Sequence, residues 1–293
     1  MISRQRLGGS LFNMFNVTLL TLLMIATLYP LLYVLFASFS DPGSLYAHKG
    51  ILFYPIEPTL AGYKLVFQNP NLAIGYRNTI YYVLLGTSIS LLVTSMGAYV
   101  LSRKGLMWKQ LMMILIVITM FFGGGLIPSF LLVKSLGFLN TVWAIVLPGA
   151  ISAWNLIVMR TFFQSIPEEL IESAKIDGAN DFYIYFRIVL PLSMAIVAVM
   201  GLFHAVGEWN SWFSAVIYLR DREMYPLQLF LREILIQNRV DNLLITSSDI
   251  DAMQAKRIIK YAVIIVSTVP ILLVYPFLQK YFVKGVLIGS LKE

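Results

Sequence analysis

The chain has no cysteine and only two histidines, His48 and His204, among its 293 residues. It therefore offers no disulfide, no thiol chemistry and too few imidazoles for a His-based metal site. Charge is scarce as well. Asp, Glu, Lys and Arg make up 13% of the chain, about half of the roughly 25% found in a typical soluble domain. That shortage argues against a soluble enzyme and against a disordered chain. No Gly-Lys dipeptide occurs, so a Walker A loop to cradle nucleotide phosphates is lacking. No Ser/His/Asp set or carboxylate pair is placed for catalysis, so the chain itself is expected to be neither an enzyme nor a carrier of a cofactor or metal. The net charge of +7 invites a nucleic-acid partner. The basic residues form no run, however, and sit beside apolar stretches, so none is expected.

What is abundant is apolar length. Hydrophobic residues make up 58% and the mean hydropathy is +0.77. A bilayer core roughly 30 Å thick needs about 20 apolar residues of helix. Stretches free of Asp, Glu, Lys and Arg run over 7–40, 78–102, 110–133, 135–159, 188–219 and 261–279, with Glu208 as the one interruption. In lipid every backbone N–H must be paired internally, which selects helices. The pattern predicts an all-α integral membrane protein with six transmembrane helices, at about 13–38, 78–102, 110–133, 141–160, 188–218 and 259–280. Arg4 and Arg6 precede an apolar run much longer than a cleavable signal core. It is read as an uncleaved first span after an N-terminal segment, 1–10.

Orientation follows the Lys/Arg bias. With the N-terminus inside, eleven basic residues fall on each side; discounting the long 220–260 segment leaves eleven against four. That favours N-in and C-in, with 41–77 and 220–258 as extracytoplasmic loops.

The segment 165–191 reads SIPEELIESAKIDGANDFYIYFRIVLP. Ser165 and Glu168 have capping-box spacing, which predicts a helix start, with Pro167 in its first turn. Glu168, Glu169 and Glu172 lie toward the positive end of that helix. Leu170, Ile171 and Ala174 form one apolar stripe. Gly178 suits a left-handed helix stop, and Asn180 or Asp181 can cap a second helix. The expected product is a short surface helix, a glycine corner, and a second helix continuous with the fifth span. An ordinary amphipathic connector would need no more than this.

The same residues resemble the EAA loop of ABC-importer membrane subunits, with its E-A-A, then Gly, nine residues, then I-x-L-P. Here Glu172-Ser173-Ala174 precedes Asp177-Gly178-Ala179, and nine residues, 179–187, separate Gly178 from Ile188, Leu190 and Pro191. Ser173 for the first Ala is the one departure. The resemblance implies the type I importer (MetI-like) permease fold, a cytoplasmic coupling loop over 161–187 that docks in a cleft of an ATP-binding subunit, and hence N-in and C-in. It casts Glu172 as a partner of the ATPase and Gly178 as the corner.

Over almost the whole chain the sequence is similar to the MalG-like permeases of carbohydrate importers. Within them it resembles the subfamily for oligosaccharides and polysaccharide fragments, which includes the second permease of the alginate importer. FFGGGLIPSFLLVKSLGFLNT (121–141), EWNSWF (208–213), YPLQLFLREIL (225–235) and YPFLQKYFVKG (275–285) carry that similarity. It implies a homologous permease as heterodimer partner, two copies of an ATP-binding subunit, an extracytoplasmic sugar-binding protein, an oligosaccharide substrate, and a multi-pass place in the bacterial inner (cytoplasmic) membrane.

Other features stay open between two meanings. Gly123–Gly125 with Pro128 either serve close helix packing through small residues or a kink in the third span, or break it, as transporters do at substrate sites. Glu208, near the outer interface by its distance along the fifth span, is either water-facing or structurally paired, or lines a translocation path with Trp209, Asn210 and Trp212. The 220–260 segment, amphipathic around 227–236, is either a membrane-surface helix or a loop reaching a docked binding protein. The tail from Lys280 is a solvated end or reaches an ATPase dimer. The rival functions are a secondary carrier driven by an ion gradient, needing Glu208 at mid-membrane, and a non-transporting scaffold.

Overall fold

The computed structural model describes residues 2–236 and 259–273, and no strand occurs among them. It divides into two compact units, Met1–Asn69 with Glu233–Val269, and Pro70–Arg232 with Pro270–Glu293. The tail from Lys280 and residues 237–258 of the long loop lie outside the described residues.

The first unit opens with α1, Ile2–Ser38. Its stretch Phe12–Ser38 is apolar, long enough to cross a bilayer, and has none of its most apolar window covered by protein. Two short helices follow, α2 (Pro42–Ala47) and α3 (Ala61–Gln68). Asp41 caps α2 by accepting from the Gly43 and Ser44 amides. Tyr63 meets Ser38 at 2.7 Å and holds α3 to the end of α1.

In the second unit the axis is α4, Pro70–Ser102. Its 33 residues are a second span by length and hydropathy. Its buried positions are mostly small or hydroxylated, Gly75, Gly86, Ser90, Thr94, Ser95 and Ala98 among them. Small residues let helices approach closely where lipid supplies no hydrophobic drive. At Gly75 the approach is to backbone. A Cβ there would stand 3.0 Å from Leu227 Cα and 2.9 Å from Phe230 Cδ2.

Several expected spans are broken rather than continuous. The third is α5 (Lys109–Phe121) and α6 (Leu126–Ser135), bent by 113°. Gly125 has φ +84° at the joint, and Pro128 lacks the amide that would extend α6 backward. The fourth is α7 (Trp143–Val146) and α8 (Ala153–Gln164), separated at Pro148 and Gly149. The fifth is α10 (Asp181–Ile184), a π turn (Tyr185–Val189), α11 (Leu190–Leu192) and α12 (Met194–Trp209). Between Leu192 and Met194 the axis turns by 83°. Pro191 has no amide to give and crowds the preceding turn, and π turns accompany such kinks. The second helix of the corner is therefore not straight into the fifth span, as expected, but bent at Ser193.

Then come α13 (Phe213–Tyr218), a 3-10 turn (Arg222–Met224) and α14 (Leu227–Leu235). The amphipathic stretch expected around 227–236 is thus a helix, and its start packs on α4. Asn78 donates to the carbonyls of Glu223 at 2.6 Å and Tyr225 at 3.0 Å, and Thr79 accepts from the Leu227 amide at 2.8 Å. The last described helix, α15, is Ile259–Leu273, short and apolar.

Candidate functional site

The corner after α8 is built mostly from local signals. Helix α9 runs Glu168–Ile176. Its N-cap is Pro167, with no side-chain cap. The expected capping box does not form. Helix α8 continues to Gln164, so Ser165 is spent as its C-cap, and its hydroxyl donates to the Phe162 carbonyl. Glu168 and Glu169 fall in the first turn of α9 and Lys175 in the last, the favourable order for the helix dipole.

The end of α9 is a Schellman stop. The Gly178 amide donates to Lys175 O and the Ala179 amide to Ala174 O, with Gly178 at φ +82°. Asn180 then caps α10, its Oδ1 accepting from the Tyr183 amide at 2.8 Å. Both expectations for this stretch hold.

One face of α9 is buried. Ile171 and Ala174 join a core with Met159, Phe163, Ile184, Tyr185 and Val189. Leu170, expected in the same stripe, is 44% exposed. The second limb is tied to α4 through Tyr185, whose hydroxyl meets Ser95 Oγ at 2.6 Å.

The outer face is a concave groove of about 810 Å³. It gathers Ser173, Ala174, Asp177, Gly178, Ala179, Ile188 and Pro191 of the residues singled out in the sequence. Leu170, Tyr183, Arg187 and Leu192 complete it. Leu170 was expected in the buried stripe and the other three were not singled out, although Arg187 stands immediately before Ile188 and was the available signal. Glu169 and Glu172 are exposed on α9 but outside the groove lining, and Leu190 is outside it too. Glu168 is engaged: Lys104 Nζ reaches its Oε2 at 3.0 Å. Hydrogen bonding to Lys104 holds the Glu168 carboxyl below its usual value, and the same bond raises Lys104.

The second set of candidates does not share one wall. Glu208 and His204, a turn apart on α12, both approach Gly86 of α4. Trp209 is buried with its ring 6.2 Å from Tyr76. Asn210 caps α12 and is exposed. Trp212 lies under the Arg232 guanidinium, 4.4 Å from its ring centre. Among the described residues no group of His, Cys, Asp and Glu could hold a metal.

The chain's relatives agree with this architecture. The profile of the family described as "Binding-protein-dependent transport system inner membrane component" matches residues 2–288. The chain belongs to that family, and is a membrane protein of it. It is 42% identical over 282 residues to the polygalacturonan/rhamnogalacturonan transport system permease protein YtcP of Bacillus subtilis (strain 168), covering 96% of this chain and 98% of that one. It is 41% identical over 287 residues to protein LplC of the same organism, covering 97% and 96%. Among solved structures it resembles a chain of a bacterial ABC transporter involved in the import of the acidic polysaccharide alginate. The TM-score is 0.86 at 30% identity, covering 94% of this chain and 98% of that one.

Proposed function

We propose that the chain is one permease half of an ATP-driven importer of oligosaccharides or polysaccharide fragments, acidic ones included. The observation that carries this is the groove behind α9, built on a left-handed glycine stop, in a family of binding-protein-dependent membrane components. The groove is open, with small residues on the α9 side and Tyr183, Arg187, Ile188 and Leu192 opposite, as suits a docked segment of another protein. Similarity to a polygalacturonan/rhamnogalacturonan permease and to an alginate importer supports the substrate class.

Six passes are α1, α4, α5 with α6, α7 with α8, α10 to α12, and α15. The corner 161–187 faces the cytoplasm, with both termini on that side of the bacterial inner membrane. A homologous permease supplies the other half, two ATP-binding subunits dock beneath, and an extracytoplasmic binding protein delivers substrate. Glu172 and the residues from Ser173 to Ala179 are the docking surface. Motion of the ATPase pushes on α9, and the core of Ile171, Ala174, Ile184 and Tyr185 carries it to α4 and α12. Binding shifts such an alternating equilibrium only through different affinity for its two states. Glu208 and Trp209, on α12, are the candidates for the path itself.

The test is co-purification in mild detergent with the chain's genetic neighbours. A second permease and two ATPase copies should co-elute, and Glu172→Lys or Gly178→Asp should strip the ATPase from a chain that still inserts. A chain that elutes alone, with uptake that follows an ion gradient and not ATP, would overturn the proposal in favour of a secondary carrier.

A further inference from the structure

The carboxyl end of α4 gathers more positive charge than a helix end can use. Arg160 Nε donates to Leu101 O at 3.0 Å, and Lys109 Nζ to Ser102 O at 3.4 Å and Arg103 O at 3.0 Å. Arg103 lies 4.9 Å over the Tyr99 ring and donates to Ser102 Oγ. All three cations are half-buried, and the charges of Arg103 and Arg160 both bear on Lys109. A helix C-terminus presents only about half a negative charge, which leaves on the order of two positive charges unanswered. Of the acids nearby, Glu168 pairs with Lys104 at 3.0 Å and its charge also reaches Arg103 and Lys109, while Glu169 and Glu172 act on Lys104; none makes an ion pair with Arg103, Lys109 or Arg160 among the described residues.

Apolar surface continues from this cluster. Met107 and Trp108 are 74% and 65% exposed. Helix α5 has no buried residue, and Leu111, Ile114 and Leu115 on it are exposed. Trp beside cations is the composition of a membrane interface, with rings at headgroup level and cations meeting anionic headgroups.

We infer that Arg103, Lys109 and Arg160 form a binding site for an anionic phospholipid, its headgroup phosphate among the three cations and its acyl chains along α5 beside Trp108. Cation clusters between helices at the membrane surface take such headgroups. The site requires only membrane residence of the chain and is independent of docking at α9.

The test uses the full-length chain with its copurifying subunits in nanodiscs of phosphatidylcholine, with or without phosphatidylglycerol. Acylation of individual lysines is followed by peptide mass spectrometry. Lys109 should label about 5-fold more slowly when phosphatidylglycerol is present, while Lys64, exposed on α3, should not change. Native mass spectrometry should show phosphatidylglycerol retained over phosphatidylcholine. The double variant Arg103→Gln/Lys109→Gln should lower that retention by at least about 5-fold, and Lys64→Gln should leave it alone. Equal labelling of Lys109 in both lipids, as when another protein chain covers α5, would overturn the site. So would undiminished retention by the double variant. If that variant does not insert, the labelling comparison on the unaltered chain decides alone.

Discussion

Lys104 Nζ stands 3.0 Å from Glu168 Oε2, joining the loop after α4 to the first turn of α9. The pair answers an acid of α9 from within the same chain. It lies on the surface, where solvent screens such pairs and their net contribution is small. It ties the first turn of α9 to the loop that follows α4.

The pH dependence of that contact follows from the two shifts. Glu168 is held below its ordinary 4.5 by the Lys104 hydrogen bond, so its contribution is present above that value and lost as pH falls through the depressed one. Lys104 is raised above 10.5, so its contribution is present below that and lost as pH climbs through the raised value. Amide exchange in α9, corrected for intrinsic rates, should be flat across the neutral range and quicken only in acid and in strong alkali. Glu168→Gln should show quickened α9 exchange at neutral pH with little change in Tm. Unchanged α9 exchange in that variant would show that the pair does not position the helix.

Gly178→Val should keep the chain in the membrane and lower uptake at least about 10-fold. A left-handed conformation costs an L-residue about 1–2 kcal/mol, and more when it is β-branched. No neighbouring atom lies within 4 Å of the added Cβ, so the loss comes from the backbone and not from a clash. Gly137, also left-handed at φ +73° and also in open space, is the control outside the corner. Gly137→Val should meet the same strain and leave ATPase co-purification intact.

Asn180→Ala should remove the cap of α10 at a cost of about 1 kcal/mol. The loss should be read as faster exchange at the Tyr183 amide, the group that Asn180 Oδ1 satisfies at 2.8 Å. Asn180→Ser should restore most of the protection.

Gly75 and Gly86 share α4 but should tolerate substitution differently. At Gly75 a Cβ would stand 3.0 Å from Leu227 Cα, and backbone cannot step aside, so Gly75→Ala should cost about 1–3 kcal/mol as overpacking. At Gly86 the nearest atom is His204 Nε2 at 3.6 Å, an ordinary contact, so Gly86→Ala should be near neutral. Thermal unfolding of the two variants in one detergent makes the comparison.

Asn78→Ala should destabilise through two orphaned carbonyls. The side-chain amide donates to both Glu223 O and Tyr225 O, and the residue is buried. A buried acceptor left unpaired costs about 1–3 kcal/mol. A fall in Tm alongside faster exchange in α14 is the expected signature.

Much of the corner was legible in the sequence because its signals are short-range. The Gly178 stop and the Asn180 cap depend on hydrogen bonds spanning five residues or fewer, so the residue types suffice to place them. The start of α9 was misassigned for a related reason. Ser165 can cap a following helix or end a preceding one, and only the length of α8 decides. Tyr183, Arg187 and Leu192 belong to the groove because the chain folds back past Gly178, which residue types do not reveal.

By itself the sequence determined that this chain lives in a membrane as helices, since long charge-free apolar runs can satisfy their backbone in lipid in no other open-ended way. It also determined that a glycine corner follows α9. Only the tertiary structure decided that the chain bends by 83° at Ser193 and by 113° between α5 and α6. It alone set Gly75 against the Leu227 backbone, gave Lys104 to Glu168, and gathered Arg103, Lys109 and Arg160 at one helix end. Proline and glycine permit a bend without setting its angle. That angle, like every pairing across the chain, is fixed by packing between helices distant in sequence.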